Sequence, residues 1–271
     1  MMSEAKDRIA EKFLELVEIM ARLRAPGGCP WDIKQTHATL KKYMIEEAYE
    51  LVESIDQGDE KALVEECGDV LLQVVFHAQM ASEANHFNIL DVLETLCNKL
   101  VSRHPHVFGD RSAHTAEEVL RNWEADKQRE KPERESILDG IPATLPALMQ
   151  AHDMQGKASR VGFDWNRVEE VFDKFEEEWR EFREACAQNR REQIEAEMGD
   201  LFFALVNLAR YQQVDAEQAL RKTNRKFKER FQFIEQALKE KNSSPRESTL
   251  AEMDALWEEA KQRERTDPVS R

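Results

Sequence analysis

Residues 45–75 read IEEAYELVESIDQGDEKALVEECGDVLLQVV, and residues 176–206 read EEEWREFREACAQNRREQIEAEMGDLFFALV. Glu46, Glu47, Glu50, Glu66 and Asp69 of the first stretch return as Glu177, Glu178, Glu181, Glu197 and Asp200 of the second, each displaced by 131 positions. Acidic residues are 54 of 271, so five coincidences at one offset do not follow from composition. A single EExxE is ordinarily a solvated helix face. Here the residues between the acids have drifted, from AYELVESIDQGDEKALVE to WREFREACAQNRREQIEA, while the acids are kept. That contrast argues that the acids are used.

Positions three or four apart share a helix face, so Glu178 projects with Glu181, and Glu197 with Asp200. The sixteen residues from Glu181 to Glu197 leave room for a turn between two antiparallel helices. Four carboxylates then converge from facing helices, as carboxylate sites in helical bundles do. Apolar runs follow each acid pair (LLQVVFHA and LFFALVNLA), which sets the cluster at the edge of a core. Crowded carboxylates repel, and a hard divalent cation relieves the repulsion. An all-oxygen donor set selects Mg²⁺ or Mn²⁺ over zinc.

The repeat extends past the acids. Lys99 and Arg103 stand in Lys-x-x-x-Arg, as do Lys226 and Arg230, at an offset of 127. NWEADKQREK around Trp123 matches LWEEAKQRER around Trp257 at an offset of 134. The chain is therefore a duplicated helical unit of roughly 120 residues. The pattern predicts a first unit over 1–130, a linker over 131–150 marked by Pro132, Gly140, Pro142 and Pro146, and a second unit over 151–271. Helices are expected over 4–24, 36–56, 60–84, 89–103, around Trp123, and over 167–188, 191–212, 215–240 and 247–265, the last opened by Ser248 or Thr249. APGGCPWD at 25–32 is expected to break the first helix.

A net charge of −15 argues against nucleic-acid binding through basic patches. It leaves room for a polyanionic substrate held through metal ions and the Lys-x-x-x-Arg pairs. Cys29, Cys67, Cys97 and Cys186 form no C-x-x-C pair, which reads as reduced cytosolic thiols. The N-terminus has no apolar signal core, and no run is long enough to span a membrane, so a cytoplasmic protein is expected. QGKAS at 155–159 has the Gly-Lys of a P-loop but not its leading Gly. His104 and His106 flank Pro105 and could bind metal, but read rather as loop or packing residues, His152 and Asp153 as incidental, and Asp126 and Glu130 as a solvated face.

Taken together, EEAYE with ECGD, EEWRE with EMGD, CPWDIKQTHATLKKYMIEEAYEL, RHPHVFGD and KASRVGFDW resemble the two-copy bacterial form of the MazG-type nucleoside triphosphate pyrophosphohydrolases, over about residues 8–265. The resemblance implies an all-α fold of tandem helical-bundle units and a homodimer with interlocked helices. It implies Mg²⁺-dependent hydrolysis of NTP or dNTP to the monophosphate plus pyrophosphate, broad in base and mainly by the second copy, in a house-cleaning or nucleotide-pool role. By position, it makes Glu178, Glu181, Glu197 and Asp200 the metal ligands, and Lys174, Lys226, Arg230 and Trp257 the nucleotide contacts. Glu178 or Glu177 then takes the proton of the attacking water, so the catalytic carboxylates are Glu177, Glu178 and Glu181. The first copy offers Glu47, Glu50, Glu66 and Asp69 with Lys99, Arg103 and Trp123. It departs from the second at Tyr43, which stands where the second copy has Lys174 and removes a cation near the phosphates. Two rival readings are a hydrolase for one related pyrophosphate nucleotide and a nucleotide-binding regulatory scaffold.

Overall fold

The computed structural model of the chain describes residues 2–112, 115, 118, 119 and 135–266. Among them there are eleven α-helices and no strand. The fold is all-α, as the sequence predicts. The chain divides into two compact units, Met1–Pro132 and Glu133–Arg271. No described helix is long and apolar enough to cross a membrane. The helix expected around Trp123 lies outside the described residues, as do Asp126 and Glu130.

The first unit runs α1 (Met2–Arg24), α2 (Pro30–Lys34), α3 (Lys41–Gln57), α4 (Glu60–Glu83), α5 (Ile89–Arg103) and α6 (Pro105–Phe108). Its centre is the α3–α4 hairpin, against which α1 packs. Met20, Leu40, Val75, Phe76 and Met80 form the core, with Leu16, Leu72 and Tyr43 packed onto it. The second unit runs α7 (Ala147–Arg160), α8 (Val168–Ala187), α9 (Arg191–Tyr211), α10 (Ala216–Glu240) and α11 (Leu250–Thr266). There the α8–α9 hairpin takes α7 against it, and α10 pairs with α11 over Ile234, Leu238 and Leu256.

The two hairpins turn in the same way, residue for residue. Gly58 and its counterpart Asn189 both adopt positive φ, 67° and 51°. Glycine does so freely, and asparagine is among the few other residues that tolerate it. The Gly58 and Asp59 amides donate to the carbonyls of Ile55 and Ser54, closing the end of α3. The Asn189 and Arg190 amides donate to Cys186 and Ala185 at the same 131-residue offset. This bonding satisfies helix-end carbonyls that otherwise lack partners. The shift in the repeat falls after the acids, since α4 has 24 residues and α9 has 21.

Several boundaries differ from the sequence reading. The Gly-Pro stretch at 25–32 contains the start of a short helix, because Pro30 sits in the first turn, where its missing N–H costs nothing. The third helix starts at Lys41 rather than near 36, since Thr36 and Thr39 exchange backbone-to-hydroxyl hydrogen bonds at 2.9 and 3.2 Å ahead of it. Helix α7 starts inside the stretch expected to be linker, with Pro146 just before its first residue. The preceding residues are tied to it, as Lys157 Nζ donates to the Asp139 carbonyl at 2.8 Å and Gln150 Nε2 to Leu145 at 2.7 Å. QGKAS is thus a segment of helix and not a phosphate-cradling loop. Of the two cap candidates for the last helix, Thr249 serves: its hydroxyl accepts from the Glu252 amide, and Glu252 accepts from the Thr249 amide.

Candidate functional site

The hairpin delivers the acids of the second unit to one place. Glu178 comes from α8, and Glu197 and Asp200 from α9. One carboxylate oxygen from each lies within 4.8 Å of the others. Glu178 is 6% exposed, Glu197 half-buried and Asp200 exposed, so the cluster opens from a buried floor to a solvated rim. Glu181, one turn further along α8, is half-buried and outside this set of three. Gln193 Nε2 donates to Glu197 at 3.3 Å and steadies it.

Lys174 meets the same cluster from one turn ahead of Glu178. Its Nζ lies 2.6 Å from Glu178 and 3.3 Å from Glu177. The hydrogen bond to Glu178, against a smaller opposing cost of burial, raises the Lys174 ammonium above its ordinary value. The residue expected to contact nucleotide thus rests against the carboxylates.

Of the other cations expected at the nucleotide, Arg230 has a firm position. Its guanidinium makes a two-pronged pair with Glu264 of α11, at 2.8 and 2.7 Å, and lies over the Trp257 ring at 5.2 Å. Trp257 packs beneath it against Phe227 and the α10–α11 core. Glu264 is held below the ordinary glutamate value, first by the Arg230 hydrogen bonds and further by the charges of Arg230 and Lys226. Sequence reading missed Glu264. The only available signal was its match to Glu130 at the offset of the tryptophans. Lys226 is exposed on α10.

The first unit repeats the acid convergence with Glu47, Glu66 and Asp69, again within 4.8 Å, and again without the fourth acid, Glu50. Burial first, then repulsion by Asp69, Glu50, Glu66 and Glu46, pushes Glu47 above its ordinary value. Glu66 is pushed up the same way, by burial and then by Glu50, Asp69 and Glu65. Its Oε2 is buried with no hydrogen-bond partner. Tyr43 gives this cluster no cation, since its ring packs on the core and stands edge-on to Trp31 at 5.7 Å. Lys99 is exposed and Arg103 half-buried on α5, and Trp123 lies outside the described residues. His104 Nδ1 lies 2.6 Å from the Leu100 carbonyl at the end of α5. Neither His104 nor His106 joins a cluster of three or more metal-binding groups among the described residues.

Both clusters offer only hard carboxylate oxygens, close enough to share one small divalent cation, and this donor set fits Mg²⁺ or Mn²⁺. Comparison with known proteins covers both hairpins. The family described as the MazG nucleotide pyrophosphohydrolase domain matches residues 35–108 and 167–232, one segment across each hairpin. A nucleoside triphosphate pyrophosphohydrolase/pyrophosphatase MazG of Thermotoga maritima is 49% identical over 92% of this chain and 95% of its own length. A nucleoside triphosphate pyrophosphohydrolase of Escherichia coli K12 is 43% identical over 92% of this chain and 97% of its own. The Bacillus subtilis protein YabN is 47% identical over 94% of this chain, which spans 52% of that longer protein.

Proposed function

This chain belongs to the MazG nucleotide pyrophosphohydrolase family, and from that premise we propose that it hydrolyses nucleoside triphosphates to monophosphate plus pyrophosphate, mainly in its second unit. The observation that carries this reading is the convergence of Glu178, Glu197 and Asp200 beside Lys174. Glu178, Glu197 and Asp200 would hold Mg²⁺ or Mn²⁺, with Glu181 one turn away as the fourth acid. A cation held there would supply positive charge to the triphosphate.

The chain's own groups supply the rest. Lys174 and Lys226 bind phosphate oxygens as point charges, and Arg230, whose Nε and Nη2 are held by Glu264, binds them with the side of its guanidinium that Glu264 leaves open. Glu177, half-buried beside Glu178, accepts the proton of the attacking water. Trp257, which carries Arg230 over its ring, would meet the base with the part of the ring that Arg230 leaves open, and aromatic contact of this kind tolerates every base. We read the activity as broad in base, cytoplasmic and serving the nucleotide pool.

The first unit has its acids but not the lysine, which favours a nucleotide-binding, regulatory role for it. Large apolar side chains left in the open, such as Phe163 at 82% and Phe202 at 54% exposure, support a homodimer that covers part of them. Light scattering of the purified chain tests that point.

Incubation with Mg²⁺ and each common NTP and dNTP tests the activity. Monophosphate and pyrophosphate should form, turnover should be lost in Glu181→Gln, and it should be kept in Glu50→Gln. A folded, metal-bound protein that cleaves no nucleotide would leave the regulatory scaffold as the better reading.

A further inference from the structure

Glu178 is nearly excluded from water, yet it sits among two other carboxylates. An unpaired charge in such a place is costly. The structure supplies the missing charge from inside the chain, since Lys174 Nζ lies 2.6 Å from Glu178 and 3.3 Å from Glu177. The Lys174 side chain is 40% exposed and the Glu178 side chain 8%. The pair is therefore made at the mouth of the cluster, where the lysine stem is free to swing.

Resting on the reading above, we propose that Lys174 is an internal counter-ion switch. It neutralises Glu178 while no metal is bound, and it is released to the triphosphate when a divalent cation takes the carboxylates. A cation bound to Glu178 and an ammonium at hydrogen-bond distance from the same carboxyl repel each other, so the cation loosens the lysine's hold. The displaced lysine carries three donors on a flexible four-carbon stem. It is then a positive group at hand for an anion that arrives with the metal. Metal and nucleotide consequently bind with positive coupling, each strengthening the other. A metal ion alone must displace the lysine without the phosphate that compensates for its loss. The first unit cannot work this way, because Tyr43 at the same register is packed on the core.

The test is Mn²⁺ uptake by the full chain without nucleotide, followed by electron paramagnetic resonance of the free ion. Glu66→Gln with Asp69→Asn removes uptake by the first unit and serves as the parent. Lys174→Met in that parent should bind Mn²⁺ about tenfold tighter, in the range of ordinary coupling between sites. It should bind the Mn²⁺ complex of a non-hydrolysable α,β-methylene triphosphate several-fold more weakly. Lys174→Arg keeps the charge and should stay near the parent in the metal titration, which separates charge from packing. Unchanged or weaker Mn²⁺ binding by Lys174→Met overturns the switch. Failure of the parent and of Lys174→Met alike to take up Mn²⁺ is a different result, and it would remove the metal centre itself.

Discussion

One turn ahead of its paired glutamates the first unit carries Tyr43, and at the same register the second carries Lys174. Tyr43 packs inward on Met20, Leu40 and their neighbours, whereas Lys174 rests on Glu177 and Glu178. Each acid cluster has to relieve its own repulsion. In the first unit no residue at the register of Lys174 does so, and burial with mutual repulsion pushes Glu47 and Glu66 above the ordinary glutamate value. In the second an ammonium does it. The difference bears on function, because the second unit holds an ammonium at this register that can turn toward a phosphate, and the first has an aromatic ring there instead.

The largest effect expected from this contrast is in turnover. Glu178→Gln should lower NTP hydrolysis by at least about a hundredfold, as loss of a preorganised charge at a reacting phosphate does. Glu47→Gln should keep most of the activity. Pyrophosphate release over a range of NTP concentrations measures both. Equal losses from the two variants would break the distinction between the units.

The comparison also shows what a sequence can carry. The acids, the hairpins and their spacing were legible because helical periodicity and a constant offset are one-dimensional facts. Even the turn was implied, since Gly58 and Asn189 are residues that accept positive φ. The resting place of Lys174 was not legible, because a lysine one turn from two glutamates can point at them or at solvent. Glu264 escaped for a related reason. It lies 34 residues from Arg230 in sequence, and its twin Glu130 reads as one more solvated acid. Helix α7 was hidden by Pro142 and Pro146, which mark a helix start as readily as a linker.

Exchange at the distinguishing position should act on stability before it acts on chemistry. Tyr43→Lys removes an aromatic ring from the first core and sets a charge against it. The expected cost is about 2 kcal/mol in denaturant unfolding of that unit, within the usual range for a truncated core side chain. No gain in turnover should accompany it. Lys174→Met, at a 40% exposed position, should cost far less. If Tyr43→Lys left the unit stable and raised turnover, position 43 alone would be what separates the two copies.

Glu264→Gln tests whether Arg230 is pre-set or merely paired. The substitution keeps the shape and loses the charge, so Arg230 should lose its fixed position and KM should rise about tenfold with kcat little changed, at the low end of what loss of an orienting partner costs. The pair is part-exposed, so its contribution to stability is expected to stay below about 1 kcal/mol. Arg230 holds Glu264 below the ordinary glutamate value, so this contribution is present at neutral pH and is lost as pH falls through that lowered value. A fall in kcat with KM unchanged would instead place Arg230 at the transition state alone.

The smallest effect concerns the repulsion that the first unit leaves without a lysine. Glu47 and Glu66 titrate above their ordinary value in the folded chain. Groups raised in this way stabilise the fold below their unfolded pKa, and that stability is lost as pH rises through the folded value. In chelator at neutral pH the cluster is therefore a penalty on the first unit. Glu66→Gln removes one of the charges and leaves a neutral amide in its place. Its melting temperature should exceed that of the parent at pH 7, and the gap should close as pH falls below the ordinary glutamate range, where the parent carboxyls are also neutral. Added Mg²⁺ should narrow the gap at pH 7 from the other side by supplying the parent with the charge it lacks. A Glu66→Gln advantage that persisted unchanged at low pH would trace to packing around the buried oxygen and not to repulsion within the cluster.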